Sequence, residues 1–142
     1  MVVKKINIIE LPIFINAAFE NDEELIGLYD KSVEVETIED ICINVFEKIA
    51  SLSGSTELRG VSIDGNNIGF FVFNPGYLIS FGINVEYRNK KVLSDFWALI
   101  KKELGGTFQC ALFSVNVRGI NWLKKCGMNI IFENLTILQH KQ

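Results

Sequence analysis

The sequence predicts an α/β (α+β) fold with a mixed central sheet flanked by helices. Three apolar segments between residues 58 and 85 are separated by two short turn sequences, which is typical of an antiparallel meander. Residues 90–104 then carry an apolar stripe of helical period between two β-like segments, which indicates a crossover to a parallel strand. With 142 residues, 49% of them hydrophobic, the chain can bury one core, so we expect residues 1–142 to form a single domain.

The first half of the chain combines one β-like and two helical patterns. Val2–Ile9 is rich in β-branched residues and is followed by Pro12, so we expect a first strand that ends there. The segment from Asn21 to Glu24 indicates the start of one or two helical turns, because acidic side chains favour the positive end of the helix dipole. Thr37 is a capping residue, and the apolar spacing that follows it predicts a helix over residues 38–52.

The second half is divided by turn residues. Asp64-Gly65 and Asn74-Pro75-Gly76 form tight turns, because glycine takes positive φ freely and proline fixes φ. The three strands of the meander are predicted over Leu58–Ile63, Ile68–Phe73 and Tyr77–Val85. After the helix at 90–104, the remaining elements are a strand over Thr107–Val115, a helix over Val117–Cys126 and a last strand over Met128–Leu138.

Composition argues against several classes of partner. The net charge of -3 provides no basic surplus, so we expect neither nucleic acid nor membrane as a partner. No apolar run reaches the roughly 20 residues of a membrane span, and the cytoplasm is the expected location. Cys42, Cys110 and Cys126 lie in apolar stretches without a Cys-x-x-Cys pairing, so we expect reduced core residues and no metal site.

Two short sequence patterns connect this fold to a known family. The first is Ile83–Lys90, a strand that runs through an arginine-led turn directly into a helix. The second is Asn116–Met128, in which the asparagine is followed by a small residue three positions later and an aromatic residue six positions later, with a glycine and a bulky apolar residue at the end. In this order, the two patterns resemble the GNAT acetyltransferases over residues 58–138.

The resemblance implies an acyl-CoA site. In the family, the strand corresponding to Tyr77–Val85 diverges from the strand corresponding to Thr107–Val115, and the pantetheine arm pairs with the backbone exposed between them. The pyrophosphate lies on free N–H groups at the start of the next helix, where the helix dipole favours negative charge. The implied cofactor is acetyl-CoA, and the implied cofactor-binding residues are Ile83, Val85, Arg88, Asn89, Lys90, Lys91, Val92, Leu93 and Asn116.

The pyrophosphate turn departs from the family pattern at its small residues. Lys91 and Leu93 stand where the family usually has glycine and then glycine or alanine. A side chain at a backbone position with positive φ costs about 1–2 kcal/mol and obstructs a close approach by phosphate. Lys90 and Lys91 add positive charge beside the same site, and a charge-assisted hydrogen bond contributes about 1.5–3 kcal/mol. We therefore expect weak binding of acetyl-CoA.

The sequence identifies no catalytic residue. Leu123 stands where many relatives carry a tyrosine that returns a proton to the leaving thiolate, and leucine cannot donate one. General acid catalysis contributes about 10²–10⁴ in rate, so this loss predicts a slow enzyme unless Tyr77, Tyr87 or Cys126 replaces the tyrosine. Glu86 is the only carboxylate on the central strand, and its place at the turn favours a solvated surface residue.

Three further features have both a functional and a structural interpretation. The phenylalanines at positions 70, 71, 73 and 81 are candidates for an apolar acceptor pocket, although aromatic residues in strands usually pack in the core. Arg118 is either a contact of the cofactor or a cation on a helix surface. His140, close to the C-terminus, is expected to be frayed and solvated, and it is given no role.

Two functions remain open. The first is a GNAT-like N-acyltransferase that transfers an acetyl group from acetyl-CoA to an unidentified small-molecule or protein amine, with weakened activity. The alternative is a non-catalytic binding or assembly protein with the same fold, of which a phage-associated role is one version. A third interpretation, a different α/β fold with a meander, requires the two central strands to stay paired along their whole length. The sequence identifies neither the acceptor nor the oligomeric state.

Overall fold

The computed structural model describes residues 1–22, 37–51, 55–112, 116–132 and 136–141. Within these residues, seven strands form one sheet in the order β1-β2-β3-β4-β5-β7-β6, in which β4 and β5 are parallel and all other neighbours are antiparallel. The strands are β1 (Val2–Lys5), β2 (Glu57–Ile63), β3 (Asn66–Asn74), β4 (Tyr77–Ile83), β5 (Phe108–Leu112), β6 (Asn129–Phe132) and β7 (Thr136–His140). This mixed sheet confirms the predicted fold class.

Helices cover both faces of the sheet. They are α1 (Leu11–Phe19), α2 (Ile38–Ser51), α3 (Lys90–Leu104) and α4 (Val117–Lys125), and a 3-10 turn (Val85–Tyr87) precedes α3. Helices α3 and α4 pack on one face around Phe96 and Leu123, whereas α1 and α2 pack on the other around Phe14 and Val45. None of the helices within the described ranges combines the length and the apolar character needed to cross a bilayer.

The region from β1 to α1 differs from its prediction. Strand β1 ends at Lys5, not at Ile9, and Pro12 lies in the first turn of α1, where its missing N–H group is tolerated. The helix was missed because nearly all of its residues are apolar, which hides the helical period. Asn21, predicted to begin a helix, has a φ of 63° in the turn after α1, and the predicted helix beyond Asp22 lies outside the described residues.

Two glycines allow α1 to lie directly on the sheet. Gly60 on β2 and Gly82 on β4 flank Phe70 of β3 in adjacent register positions. A Cβ atom at Gly60 would lie 2.5 Å from the Phe14 ring, and one at Gly82 would lie 2.7 Å from the Phe19 ring. Any larger residue at these positions would therefore push α1 away from the sheet.

Helix α2 and the meander follow their predictions. Thr37 Oγ1 accepts a hydrogen bond from the Asp40 N–H group, while the Thr37 N–H group donates to Asp40 Oδ2, so the two residues cap α2 reciprocally. Asp64 and Gly65 connect β2 to β3 at φ values of 50° and 81°. Two central residues with positive φ match the twist of a two-residue hairpin.

The C-terminal region forms a hairpin where one strand was predicted. The segment Met128–Leu138 contains β6 and the first part of β7, and β7 lies between β5 and β6. His140 is the last residue of β7, paired with Phe108, and its ring lies 5.0 Å from the Phe108 ring and 5.7 Å from the Trp97 ring between centroids. The prediction of a frayed, solvated His140 was therefore wrong, because strand pairing holds this residue against the aromatic core.

Candidate active site

The parallel strands β4 and β5 separate after a short paired segment. They pair only at Tyr77 with Gln109 and at Leu78 with Cys110, and then diverge toward their carboxyl ends. Strand β4 leaves β5 next to a β-bulge, because Phe73 and Val72 of β3 oppose Leu78 and Ser80, so that Ile79 is an extra residue in β4. A bulge bends its strand, which accounts for the divergence at this position. The predicted pair of splayed central strands is confirmed.

A cavity of ≈ 130 Å³ occupies the opening between the two strands. We call this opening the cleft; its narrow end lies at Leu78 and Cys110, and its wide end lies at the carboxyl ends of β4 and β5. Residues of β4, β5 and all four helices line the cleft. Four of the nine residues predicted to bind the cofactor are among them: Ile83, Arg88, Leu93 and Asn116.

The other five predicted residues do not line the cleft. Val85, expected at the end of the open strand, lies instead in the 3-10 turn, where its carbonyl oxygen accepts a hydrogen bond from the Arg88 N–H group. Lys90 and Lys91 are exposed, and Lys91 forms an ion pair with Asp95 one helical turn later. The remaining two, Asn89 and Val92, bond to each other at the start of α3.

The N-terminus of α3 caps itself. Asn89 Oδ1 accepts a hydrogen bond from the Val92 N–H group at 3.0 Å, and the Asn89 carbonyl accepts one from the Leu93 N–H group at 3.0 Å. An asparagine at this position is a favoured N-cap. Two of the N–H groups expected to receive the pyrophosphate are therefore already bonded within the chain.

Two arginines and one aspartate form a charged cluster at the wide end. Asp22 is buried, and its carboxylate lies 2.5 Å from Arg88 Nη2 and 2.9 Å from Arg118 Nη2. Arg88 Nε donates to the Ile83 carbonyl at 2.8 Å. Arg88 Nη1 is buried without a hydrogen-bond partner in the described part of the chain. With one carboxylate for two guanidinium groups, these three side chains carry a net charge of +1 and offer an unused donor to an anion.

Asparagines hold the two segments that border the wide end. Asn84, which is buried, donates from Nδ2 to the Ala17 carbonyl of α1 at 2.8 Å and accepts from the Glu86 N–H group. Asn116 caps α4 as predicted, since its Oδ1 accepts from the Gly119 N–H group at 3.0 Å. A Cβ atom at Gly119 would lie 2.9 Å from that Oδ1, so a small residue keeps this cap intact.

Aromatic side chains form one wall of the cleft. Trp122 of α4 lies 5.4 Å from Phe81 of β4 and 5.9 Å from Phe96 of α3 between ring centroids, and all three rings line the cleft. Phe81 is therefore the one phenylalanine of the predicted aromatic cluster that reaches the cleft. Phe70 and Phe71 are fully buried in the two cores.

The three suggested proton donors lie elsewhere. Tyr77, Tyr87 and Cys126 do not line the cleft, and burial raises the pKa of the Cys126 thiol to about 11, against a smaller opposing effect of Lys101. Leu123 is fully buried in the core. Glu86 is exposed at the turn, as its structural interpretation predicted.

Lys48 is a lining residue that the sequence analysis missed. It extends from α2 to the cleft, and together with Ser80 it also lines a second cavity of ≈ 310 Å³ beside α2. Burial lowers the pKa of its ammonium group, and an electrostatic interaction with the Cys110 thiol opposes this shift. A sequence signal existed, because Lys48 continues the apolar spacing of Ile41 and Val45 along α2.

Several solved structures with the same fold are acetyltransferases. The chain is similar to the PaiA N-acetyltransferase of Thermoplasma acidophilum in complex with coenzyme A (19% identity, TM-score 0.62, covering 99% of this chain and 98% of that one). It is also similar to an acetyltransferase of Thermus thermophilus (9% identity, TM-score 0.67, 100% and 98%). A third is the N-acetyltransferase PseH of Campylobacter jejuni in complex with acetyl coenzyme A (14% identity, TM-score 0.55, 99% and 99%).

The chain thus has the fold of the GNAT N-acetyltransferases. No protein-family model matches the sequence, and no curated protein matches it either.

Proposed function

We propose that this chain binds acetyl-CoA in the cleft and transfers the acetyl group to an amine. The observation that carries this proposal is the divergence of β4 from β5 after two paired positions, which leaves strand edges unpaired beside a cavity of ≈ 130 Å³. An extended arm can add to an open strand edge through backbone hydrogen bonds, which suits a pantetheine chain with its two amide groups.

The wide end supplies positive charge for the phosphates. Arg88 and Arg118 both line the cleft, and Arg88 Nη1 is a buried donor without a partner among the described residues. A guanidinium group can bind phosphate oxygens in bidentate fashion. In this proposal the two arginines replace backbone N–H groups that the sequence pattern would otherwise offer at the start of α3.

Binding is expected to be weak for two physical reasons. Asn89 already bonds the Val92 N–H group, and Asp22 already pairs with both arginines. A phosphate must exchange these contacts for its own, so only the difference between the two sets contributes to affinity.

Acetyl transfer is expected to be slow. When bound, acetyl-CoA supplies an activated acyl group, and the aromatic wall of Phe81, Phe96 and Trp122 keeps water from that part of the cleft. Leu123 provides no proton to the departing sulfur, and the proposed substitutes do not line the cleft. General acid catalysis typically contributes about 10²–10⁴ in rate, and we expect the rate of acetyl transfer to be lower by a factor of this size.

Thermal denaturation with acetyl-CoA tests the binding step. Ligand at 100 times its Kd adds about 2.7 kcal/mol to the free energy of unfolding. Acetyl-pantetheine, which lacks the pyrophosphate and the adenosine, is the matched control and should stabilise the protein less. Thiol release with a panel of primary amines then tests transfer. No stabilisation by acetyl-CoA at millimolar concentration contradicts the proposal.

A non-catalytic binding protein is the second candidate function. Two observations favour it. Asn89 caps the start of α3, so the Val92 N–H group is not free for a phosphate, and the buried Leu123 stands where a proton donor is expected. It predicts little affinity for acetyl-CoA and no thiol release with any amine, whereas slow release above the uncatalysed rate supports the transferase.

A further inference from the structure

The narrow end of the cleft contains an amine that the proposed binding of acetyl-CoA leaves unused. Lys48 lines the cleft together with Ile79 and Ser80, the two β4 residues at the bulge. Cys110 opposes the lowering of the Lys48 pKa, so the two groups lie within electrostatic range of each other, and Cys110 is the last β5 residue that pairs with β4. Lys48 therefore reaches the point where the two strands part.

A ligand anchored at the wide end would bring its reactive group to Lys48. Ile83 follows Leu78 by five positions along β4, which corresponds to about 16 Å of extended strand. A pantetheine arm that starts at Arg88 and Arg118 and follows β4 toward the bulge directs its sulfur and acetyl group to the narrow end. Lys48 then supplies an amine at the end of the cleft that the thioester reaches.

The environment favours the reactive form of this amine. Within the described part of the chain, Lys48 Nζ forms no ion pair and no hydrogen bond. Burial lowers its pKa, which increases the neutral fraction that can attack a carbonyl carbon. The other charged groups that line the two cavities are Arg88 and Arg118 at the wide end and Glu47 on α2.

We propose that Lys48 is a self-acetylation site, which accepts the acetyl group from acetyl-CoA bound in the same cleft. This inference rests on the proposed function, because it requires acetyl-CoA in the cleft. The neutral Lys48 nitrogen attacks the thioester carbonyl carbon, a C–N bond forms, and the C–S bond breaks with its electron pair on sulfur. The thiolate takes up the proton that the nitrogen loses, so the products are N-acetyl-lysine and free coenzyme A.

The product is an amide, which does not return its acetyl group to another amine under mild conditions. Self-acetylation is therefore stoichiometric, with one acetyl group for each chain. Because Lys48 and Ser80 line both cavities, the acetylated side chain occupies the junction between the cleft and the second cavity. One round of reaction fills the space that an external amine would need at the thioester.

Peptide mass spectrometry after incubation with acetyl-CoA tests the inference. Lys5 and Lys124, which are exposed, serve as internal controls. We expect Lys48 to be acetylated at least about tenfold faster than either control, because binding in the cleft raises the effective concentration of the thioester. Acetyl phosphate, a donor without a pantetheine arm, should reverse this order, and excess free coenzyme A should suppress labelling of Lys48 alone.

Two further measurements separate this reaction from surface chemistry. The Lys48→Arg variant keeps the positive charge and should lose the acetylated α2 peptide while Lys5 and Lys124 react as before. In the wild type, the rate at Lys48 should rise with pH and level off below the ordinary lysine value of 10.5, because its pKa is lowered.

The outcomes distinguish this inference from the proposed function. If acetyl-CoA stabilises the protein against heat but Lys48 reacts no faster than Lys5 and Lys124, the inference is overturned and acetyl-CoA binding stands. If acetyl-CoA gives neither stabilisation nor preferential labelling, both are overturned. Preferential labelling that free coenzyme A suppresses supports both.

Discussion

The two ends of the cleft differ in how well their polar groups are already satisfied. At the wide end, Asp22 pairs with Arg88 and Arg118, and Asn89 bonds the Val92 N–H group. At the narrow end, the Lys48 ammonium group forms no ion pair among the described residues, and burial lowers its pKa. At the wide end most polar groups are thus already paired, and among the described residues there only Arg88 Nη1 is a buried donor without a partner, whereas the narrow end contains a group whose charge is poorly compensated.

This difference separates anchoring from chemistry. A ligand at the wide end must displace internal contacts, so its affinity depends on a balance of similar interactions. A reactive group at the narrow end meets an amine without a competing partner in the described structure. Variants that change one end and leave the other intact should therefore separate affinity from reactivity.

Removing Arg88 should have the largest effect. Arg88→Met deletes the hydrogen bond to the Ile83 carbonyl, the ion pair with Asp22 and the unpaired donor. The loss of one charge-assisted hydrogen bond of about 1.5–3 kcal/mol corresponds to an affinity for acetyl-CoA that is about 10- to 150-fold lower. Isothermal titration calorimetry measures this change. Arg118→Met leaves Asp22 paired with Arg88 and should weaken binding less; an equal or larger effect contradicts the assignment of the anchor to Arg88.

Enlarging Gly82 on β4 tests how tightly α1 packs on the sheet between the two ends of the cleft. Gly82→Val places a Cβ atom 2.7 Å from the Phe19 ring, so α1 must shift. We expect the free energy of unfolding to fall by about 1–3 kcal/mol, as overpacked cores do. Urea denaturation measures the loss. Phe19→Ala should cost less in the Gly82→Val background than in the wild type, because the two side chains share one space; additive losses contradict the proposed clash.

Removing the two caps compares one helix start that lines the cleft with one that does not. Asn89→Ala and Asn116→Ala should each lower the free energy of unfolding by about 1 kcal/mol. Their effects on acetyl-CoA affinity should diverge. Loss of Asn89 frees the Val92 N–H group for a phosphate and should maintain or raise affinity, whereas loss of Asn116 removes a lining residue and should lower it. Equal losses of affinity contradict the self-capping explanation of weak binding.

Replacing Lys48 should have the smallest effect on stability, and its sign depends on pH. Since burial lowers the pKa of folded Lys48, the unfolded chain binds more protons between that lowered value and 10.5, and wild-type stability rises with pH in this window. Lys48→Met removes the charge and should melt at a higher temperature than the wild type at pH 7. The difference should shrink as the pH approaches 10.5. A constant difference across this range contradicts the pKa shift.

Local sequence patterns were sufficient to predict much of the fold. Helices α2 and α3 follow from apolar spacing with a capping residue or terminal glycine, and the meander follows from Asp64-Gly65 and Asn74-Pro75-Gly76. Helix α1 could not be recognised by its period, because its apolar residues face both the sheet and α2, and Gly60 and Gly82 make room for it from distant strands. The β6–β7 hairpin was missed because its apolar residues read as one continuous strand.

The candidate site was predictable where it depends on short motifs and not where it depends on distant contacts. Arg88 and Asn116 were identified from their motifs, and both line the cleft. Lys48 lines the cleft and Asp22 pairs with its two arginines, but the sequence around each residue gives no indication of these distant contacts. The cap formed by Asn89 was predictable, because asparagine is a favoured N-cap residue whose side chain accepts a hydrogen bond from the N–H group three residues later.

The bulge at Ile79 determines more than the bend of one strand. The β3 partners of Leu78 and Ser80 are the adjacent residues Phe73 and Val72, whose side chains face opposite sides of the sheet, so Ile79 is the one residue that a regular ladder would omit. Deleting Ile79 would therefore restore regular pairing along β4 and remove the bend, while Leu78 and the segment from Ser80 to Ile83 keep their present faces. The opening thus depends on one extra residue between two hydrogen-bond registers, and substitutions along β4 can alter what lines it without removing that residue.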